Sequence, residues 1–332
     1  MRKAVFQREP EMAYGMRQRV LPGLIAILIG FGWWASSASA GGERSGTSRF
    51  FLEGDGRLHI RNAQTGLEAD VRFANPDGSL DENAIGRIDE VFGFSPRLGI
   101  DHICPRLLFM LDHFSDRVAP GKVIHLTSGY RSPEYNSKLR SGGGNVASTS
   151  LHQDGMALDF HIEGVEGREL WRIIKEADCC GVGHYGGANV HLDSARPRFW
   201  EAATSRVRTG ESDHNRRIWL STDFDRYRAG DPVRLSLVSI SDFGFGVAGT
   251  ARLVRDKEGE ETVRTVQLAA PGDPGCITVA DRESARAIRF TLPELPGMGR
   301  YRIRLDFCRR PFAGMPARVV SNEIEVTGSQ PR

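Results

Sequence analysis

The stretch Ser150-Leu151-His152-Gln153-Asp154-Gly155-Met156-Ala157-Leu158-Asp159-Phe160-His161-Ile162 ends in a strict alternation. Leu158, Phe160 and Ile162 fall on one side, and Ala157, Asp159 and His161 on the other, the period of a strand with one buried face. Asn189-Val190-His191-Leu192-Asp193 repeats the pattern, with Val190 and Leu192 inward and His191 and Asp193 opposite. If these two strands pair, Asp159 and His191 share a face and His152 enters from the turn above it. Two imidazoles and a carboxylate are the ligand set of a catalytic zinc ion that keeps a fourth position open.

Working outward, Val123 to Thr127 is a short strand leading into Ser128-Gly129-Tyr130-Arg131-Ser132-Pro133, where glycine and proline enforce a turn. Helical spacing is expected over Asp81–Phe92, Pro105–Val118, Pro133–Leu139 and Glu166–Ala177, the last stopping near Gly181. Leu58 and Ile60, then Leu67, Ala69, Val71 and Phe73, alternate around the turn at Asn62–Gly66 as a β-hairpin with one buried face does. The tract Ser141-Gly142-Gly143-Gly144 is expected as a loop bordering a groove. Residues 201–222 are charged and poorly periodic, a linker. Beyond them short strands recur at Val233–Ser239, Thr250–Val254, Val263–Leu268, Ala287–Leu292, Gly299–Phe307 and Glu323–Val326, which suits a β-sandwich over residues 223–328 acting as an accessory or envelope-binding module.

The chain has 332 residues, enough for two domains, and 44 basic against 42 acidic residues leave a formal charge of +2. No field of that size argues for nucleic acid. Arg17 and Arg19 precede an apolar run from Leu21 to Ala35 that ends in Ala38-Ser39-Ala40, a secretory signal over residues 1–40. The run is short of the ~20 residues a spanning helix needs, so no stable membrane span is expected after cleavage. Export permits disulfides: Cys276 and Cys308 can bridge each other, and Cys104 can reach Cys179 or Cys180, with at least one of the five cysteines left over; buried free thiols are the alternative the sequence leaves open.

Ser150-x-His152-x-x-Gly155-x-Ala157-x-Asp159, followed by His191-x-Asp193 and preceded by Ser128 to Pro133 with Asn136, resembles the LAS zinc peptidases. These include D-Ala-D-Ala carboxypeptidases and vancomycin-resistance dipeptidases; the hairpin, the helices before Arg131 and the Gly181-Val182-Gly183 turn make the chain most similar to the murein endopeptidase K branch. The resemblance spans roughly residues 50–200 and implies an α+β, Hedgehog/D,D-peptidase-like zinc domain with a central antiparallel sheet. It implies Zn2+ on His152, Asp159 and His191, with Arg131 holding a substrate or transition-state oxygen. The substrate implied is peptidoglycan, in the periplasm or cell envelope.

The general base departs from the pattern. Relatives carry glutamate three residues before the last ligand or histidine two before it, where this chain has Ala188 and Asn189. Asp193 is the first candidate in their place, His184 the second and His161 the third, the last also suited to orienting Asp159. Two other readings stay open: a D,D-carboxypeptidase on the same substrate, and a zinc-stabilised cell-wall-binding protein without turnover.

Overall fold

The computed structural model describes residues 48–94, 103–144, 146–205, 212–255, 261–270 and 273–328, all within one compact unit. The expected signal, residues 1–40, lies outside the described residues. Among the described residues no helix is long and apolar enough to cross a membrane.

The first half runs Arg57–Asn62 (β1), Glu68–Arg72 (β2), Glu82–Phe92 (α1), Pro105–Val118 (α2), Ile124–Ser128 (β3), Pro133–Ser141 (α3), Ala157–Ile162 (β4), Gly167–Ala177 (α4), Gly181–Gly186 (β5), Asn189–Asp193 (β6) and Arg198–Glu201 (β7). The seven strands form one sheet in the order β2-β1-β3-β4-β6-β5-β7. Its centre, β3-β4-β6-β5, is antiparallel as expected, but β1 pairs with β3 and β5 with β7 in parallel, so the sheet is mixed. The parallel pairs arise where the chain crosses over before rejoining the sheet: α1 and α2 lie between β2 and β3 in sequence, and β6 lies between β5 and β7.

Local signals set the helix ends. The Asp81 side chain accepts hydrogen bonds from the backbone N–H groups of Asn83 and Ala84, and Gly93 closes α1 in the left-handed conformation at φ 85°. Pro105 occupies the first turn of α2, where its missing N–H is not needed. Leu158, Phe160, Val190 and Leu192 on the inner sheet face pack with Ile85, Ile88, Leu107, Leu111, Leu170 and Ile174 from α1, α2 and α4 in one buried cluster. Each such side chain contributes roughly 1.5–3 kcal/mol by leaving water. With that face filled, Asp159 and His191 must project from the other.

The second half holds Trp219–Thr222 (β8), Arg226–Arg228 (β9), Pro232–Val238 (β10), Phe245–Val254 (β11), Thr262–Gln267 (β12), Cys276–Val279 (β13), Ile288–Thr291 (β14), Gly299–Arg309 (β15), Arg318–Val320 (β16) and Ile324–Thr327 (β17). One sheet is ordered β14-β10-β8, a second β12-β11-β15-β17-β9, and both contribute to a single apolar cluster. The stretch expected as a linker carries β8 and the fully buried Asn215, whose amide bonds to Ser241 and Asp242. Among the described residues of that stretch, polar side chains take part in hydrogen bonds to the loop at Ser241 and Asp242. Cys276 and Cys308 are bonded to each other, as are the neighbours Cys179 and Cys180. Cys104, expected to reach one of the latter two, is a free thiol against the Ser194 hydroxyl at 3.6 Å.

Candidate metal centre

His152 lies in a single 3-10 turn, Leu151–Asp154, which Gly155 terminates at φ 65°. A side chain at Gly155 would also strike the Phe94 ring, 2.5 Å from an ideal Cβ, so only glycine lets the chain pass from the turn into β4 here. In β4, Asp159 sits directly across from His191 of β6. The strand register thus brings two of the three groups together, and the turn supplies the third.

The donor atoms converge. His152 Nε2 lies 3.3 Å from His191 Nδ1 and 3.3 Å from Asp159 Oδ1, and His191 Nδ1 lies 2.8 Å from the same oxygen. All three residues are buried. Every one of them is also tied at its other end. His152 Nδ1 donates to the Gly129 carbonyl at 2.7 Å, which leaves the Nε2 lone pair facing the cluster. His191 Nε2 donates to Asp193 Oδ2 at 3.1 Å, which leaves Nδ1 as its acceptor. Asp159 Oδ2 accepts from Arg131 Nη2 at 2.5 Å. Ligands oriented in this way by outer partners are the usual construction of a metal site.

Charge follows the same geometry. Desolvation pushes the His152 pKa down, favouring the neutral ring that a metal needs. Burial alone would raise Asp159, yet the charge and hydrogen bonds of His152 and His191 outweigh it and hold the carboxyl well below its usual range. His191 is raised: burial works against its cation, but Asp159 and Asp193, one on each ring nitrogen, prevail.

Arg131 follows β3, where Nε donates to Ser128 Oγ at 2.9 Å, so the guanidinium is braced between Ser128 and Asp159. It lines a cleft of about 500 Å³ that also exposes His152, Asp159 and His191. Asp193 is fully buried on the far side of the His191 ring. It accepts from Arg198 Nη2 at 2.8 Å and from the Ala195 backbone at 3.2 Å. Burial opposes its charge, but Arg198 and His191 override burial and keep it ionised. His184 pairs in register with Val190, on the opposite sheet face from His191; its Nε2 is 3.3 Å from the Gly187 carbonyl, and it does not line the cleft. His161 stacks on His125 with ring centroids 4.8 Å apart. None of the three base candidates lines the cleft, and Ala188 and Asn189 carry no proton acceptor suited to the task.

Tyr185 was not among the residues expected at the site. It lines the cleft as an exposed side chain whose hydroxyl reaches 3.4 Å from His191 Nδ1; desolvation of that hydroxyl, then the Asp159 charge, raises its pKa, so it stays a protonated donor. The signal was its place two residues after Gly183, which faces His191 across the β5–β6 pair.

A family model described as peptidoglycan L,D-endopeptidase MepK matches residues 53–200. Peptidoglycan L,D-endopeptidase MepK of Escherichia coli (strain K12) is 31% identical over 144 residues, 43% of this chain and 79% of that protein. The protein of the same name from Shigella flexneri matches to the same extent. Probable peptidoglycan L,D-endopeptidase MepK of Haemophilus influenzae is 35% identical over 82 residues, 24% of this chain and 42% of that protein. The matched residues contain the whole donor cluster, Arg131 and both flanking strands, and the chain belongs to the peptidoglycan L,D-endopeptidase MepK family of peptidases.

Proposed function

We propose that this chain is an exported zinc peptidase that hydrolyses peptide bonds in peptidoglycan stem peptides or cross-links. The observation that carries the reading is the meeting of His152 Nε2, Asp159 Oδ1 and His191 Nδ1 at one point in a cleft, each residue tied at its other end. A tetrahedral zinc with bonds of ~2.0–2.1 Å separates its ligands by roughly 3.3 Å. Two of the three separations here are 3.3 Å and the third 2.8 Å. Family membership supports peptidoglycan as the substrate, and the apolar run ending at Ala40 supports the periplasm as the place of action. The reading assigns residues 50–200 to a D,D-peptidase-like domain and 223–328 to a β-sandwich-like one.

Zinc, when bound, supplies the Lewis acid for amide hydrolysis. The chain supplies the rest. Arg131 sets a fixed cation beside Asp159, where the scissile carbonyl oxygen gathers negative charge. Tyr185 donates its phenolic hydrogen toward the same oxygen from the β5 side. Asp193 takes the role of positioning residue, fixing the His191 tautomer through Nε2, in place of a base.

Incubation of the purified, zinc-loaded chain with isolated peptidoglycan, with products resolved by mass spectrometry, tests the reading. Broken cross-links are expected, with loss of activity in His152→Ala and a fall of roughly 100-fold or more in kcat for Tyr185→Phe. Loss of a single terminal alanine would instead mark a carboxypeptidase. The lack of a proton acceptor at Ala188 and Asn189 favours a second reading, a zinc-stabilised binding protein, and murein binding without any product from the wild type would establish that one.

A further inference from the structure

Beyond the metal donors, one wall of the cleft carries Arg196, Arg198 and Arg217, while Asp159 is the single carboxylate among its described lining residues. The three guanidiniums are not equivalent. Arg198 is committed to the buried Asp193 at 2.8 Å, and its charge is answered there. Arg217, an exposed side chain, meets the largely covered Asp213 through Nε alone at 3.4 Å, which leaves its two terminal nitrogens for a further partner. Arg196 has no hydrogen bond or ion pair among the described residues, and its exposed side chain opens on the cleft. Partial burial, then the charges of Arg198 and Arg217, disfavour its cation against a smaller opposing pull from Asp193 and Asp213, so the three guanidiniums lie within reach of one another's fields.

Like charges gathered at one wall repel, and an anion between them relieves that repulsion. A guanidinium fork matches the two oxygens of a carboxylate. The surrounding surface is apolar, with Trp200 and Trp219 on the same cleft, so an anion seated there is partly shielded from water and held more firmly than on an open surface. Arg217 and Trp219 also lie beyond residue 200, where the family match ends, so this wall is built in part by the chain's own C-terminal half.

We propose that Arg196 and Arg217 form an anion subsite that takes a free carboxylate of the peptide whose scissile bond lies over the metal centre. This deepens the peptidase reading and rests on it for the class of ligand. Stem peptides offer two sources of that chemistry, a chain-terminal carboxylate and a side-branch carboxylate, and both present the same planar pair of oxygens.

The test uses the full chain with zinc bound and measures binding by calorimetry, so that it does not depend on turnover. The probes are a synthetic stem peptide with all carboxylates free, the same peptide amidated at the terminus only, and the peptide amidated at the side branch only. The free acid is expected to bind about five- to tenfold more tightly than one of the two amides, and which amide loses affinity identifies the source. Arg196→Gln and Arg217→Gln are each expected to erase most of that preference while leaving the affinity of the weaker amide unchanged; two separate variants keep the test valid should one fold poorly. Equal binding of acid and both amides, or a preference that survives in both variants and disappears only in Arg131→Gln, would overturn the subsite. Failure of the wild type to cut peptidoglycan is read in a different assay and would sink the peptidase reading alone.

Discussion

Asp193 illustrates how a single side chain divides between two chemical roles according to which nitrogen it touches. On the cleft side of His191 it would be a base; on the far side, where it bonds Nε2 and Arg198, it can only orient the ring. Asp193→Asn is therefore expected to weaken metal affinity about 10- to 100-fold, measured by competition with a chelator. Unchanged metal affinity with a loss of 10²–10⁴ in turnover would return the base role to Asp193. A second carboxylate makes a separate case for pH. Asp112 is raised to about 7, first by burial and then by the charges of Asp116 and Asp55, although it accepts from the backbone of Gly56 and Gly54. Because its folded value lies above the ordinary carboxyl value near 4, the native state binds the extra proton between about pH 4 and 7. Stability from this group is thus present at the acid end and falls as pH rises through that window, by up to about 1.4 kcal/mol per unit. Denaturant midpoints at pH 5 and pH 7.5, taken with chelator present, should differ less in Asp112→Asn than in the wild type; an identical difference in the two proteins would refute this.

At the scale of elements, β5 connects the legible part of the sequence to the hidden part. Strands β4 and β6 and helices α1, α2 and α4 announce themselves by apolar residues at period 2 or 3.6, because each packs one apolar face on the core. β5 gives no such signal. Its Gly181 and Gly183 read as a turn, yet they are strand positions emptied to make room: an ideal Cβ at Gly181 would lie 2.1 Å from Asp193 Oδ2, and one at Gly183 2.4 Å from the Trp200 ring. Since β5 was expected as a turn, Tyr185 was invisible as a cleft residue, and His184 was expected in a loop when it lies on the buried side of a strand. The short strands β7, β8, β9, β13 and β16, of three or four residues each, were also missed: each shows at most two residues on a face, whereas β14 and β17, equally short, sit within longer alternating stretches. Gly181→Ala should displace the Asp193 carboxylate and cost about 1–3 kcal/mol, visible as a lower thermal midpoint. A midpoint equal to the wild type would mean that β5 and β6 separate without penalty.

At the scale of the whole molecule, the C-terminal half grips the turn that carries His152. Asp154, two residues on, is buried and paired with Arg282; its second oxygen accepts from the Ser239 backbone at 3.0 Å, and its carbonyl accepts from Arg286 Nη2 at 2.7 Å. Val238 closes a small apolar cluster with Leu151, Met156 and Ala157 around the same turn. Sequence composition divides the chain at about residue 200 because periodicity changes there, but contacts of this kind leave no trace in periodicity. A second tie joins the halves through Arg106 of α2 and Asp225, 2.6 Å apart and both buried, with Asp225 also accepting from the Phe51 backbone. A buried pair of this sort stabilises little against an apolar substitute, but removing one partner strands the other charge away from water. Arg106→Ala is expected to cost about 3–5 kcal/mol and to lower the melting temperature of the whole chain as one transition, because the lost tie lies between the halves. Calorimetry distinguishes the outcomes: a single depressed transition fits halves that fold as a unit, whereas an unchanged upper transition with only a separate lower one would mean that the C-terminal half is stable alone and merely leans on the metal centre.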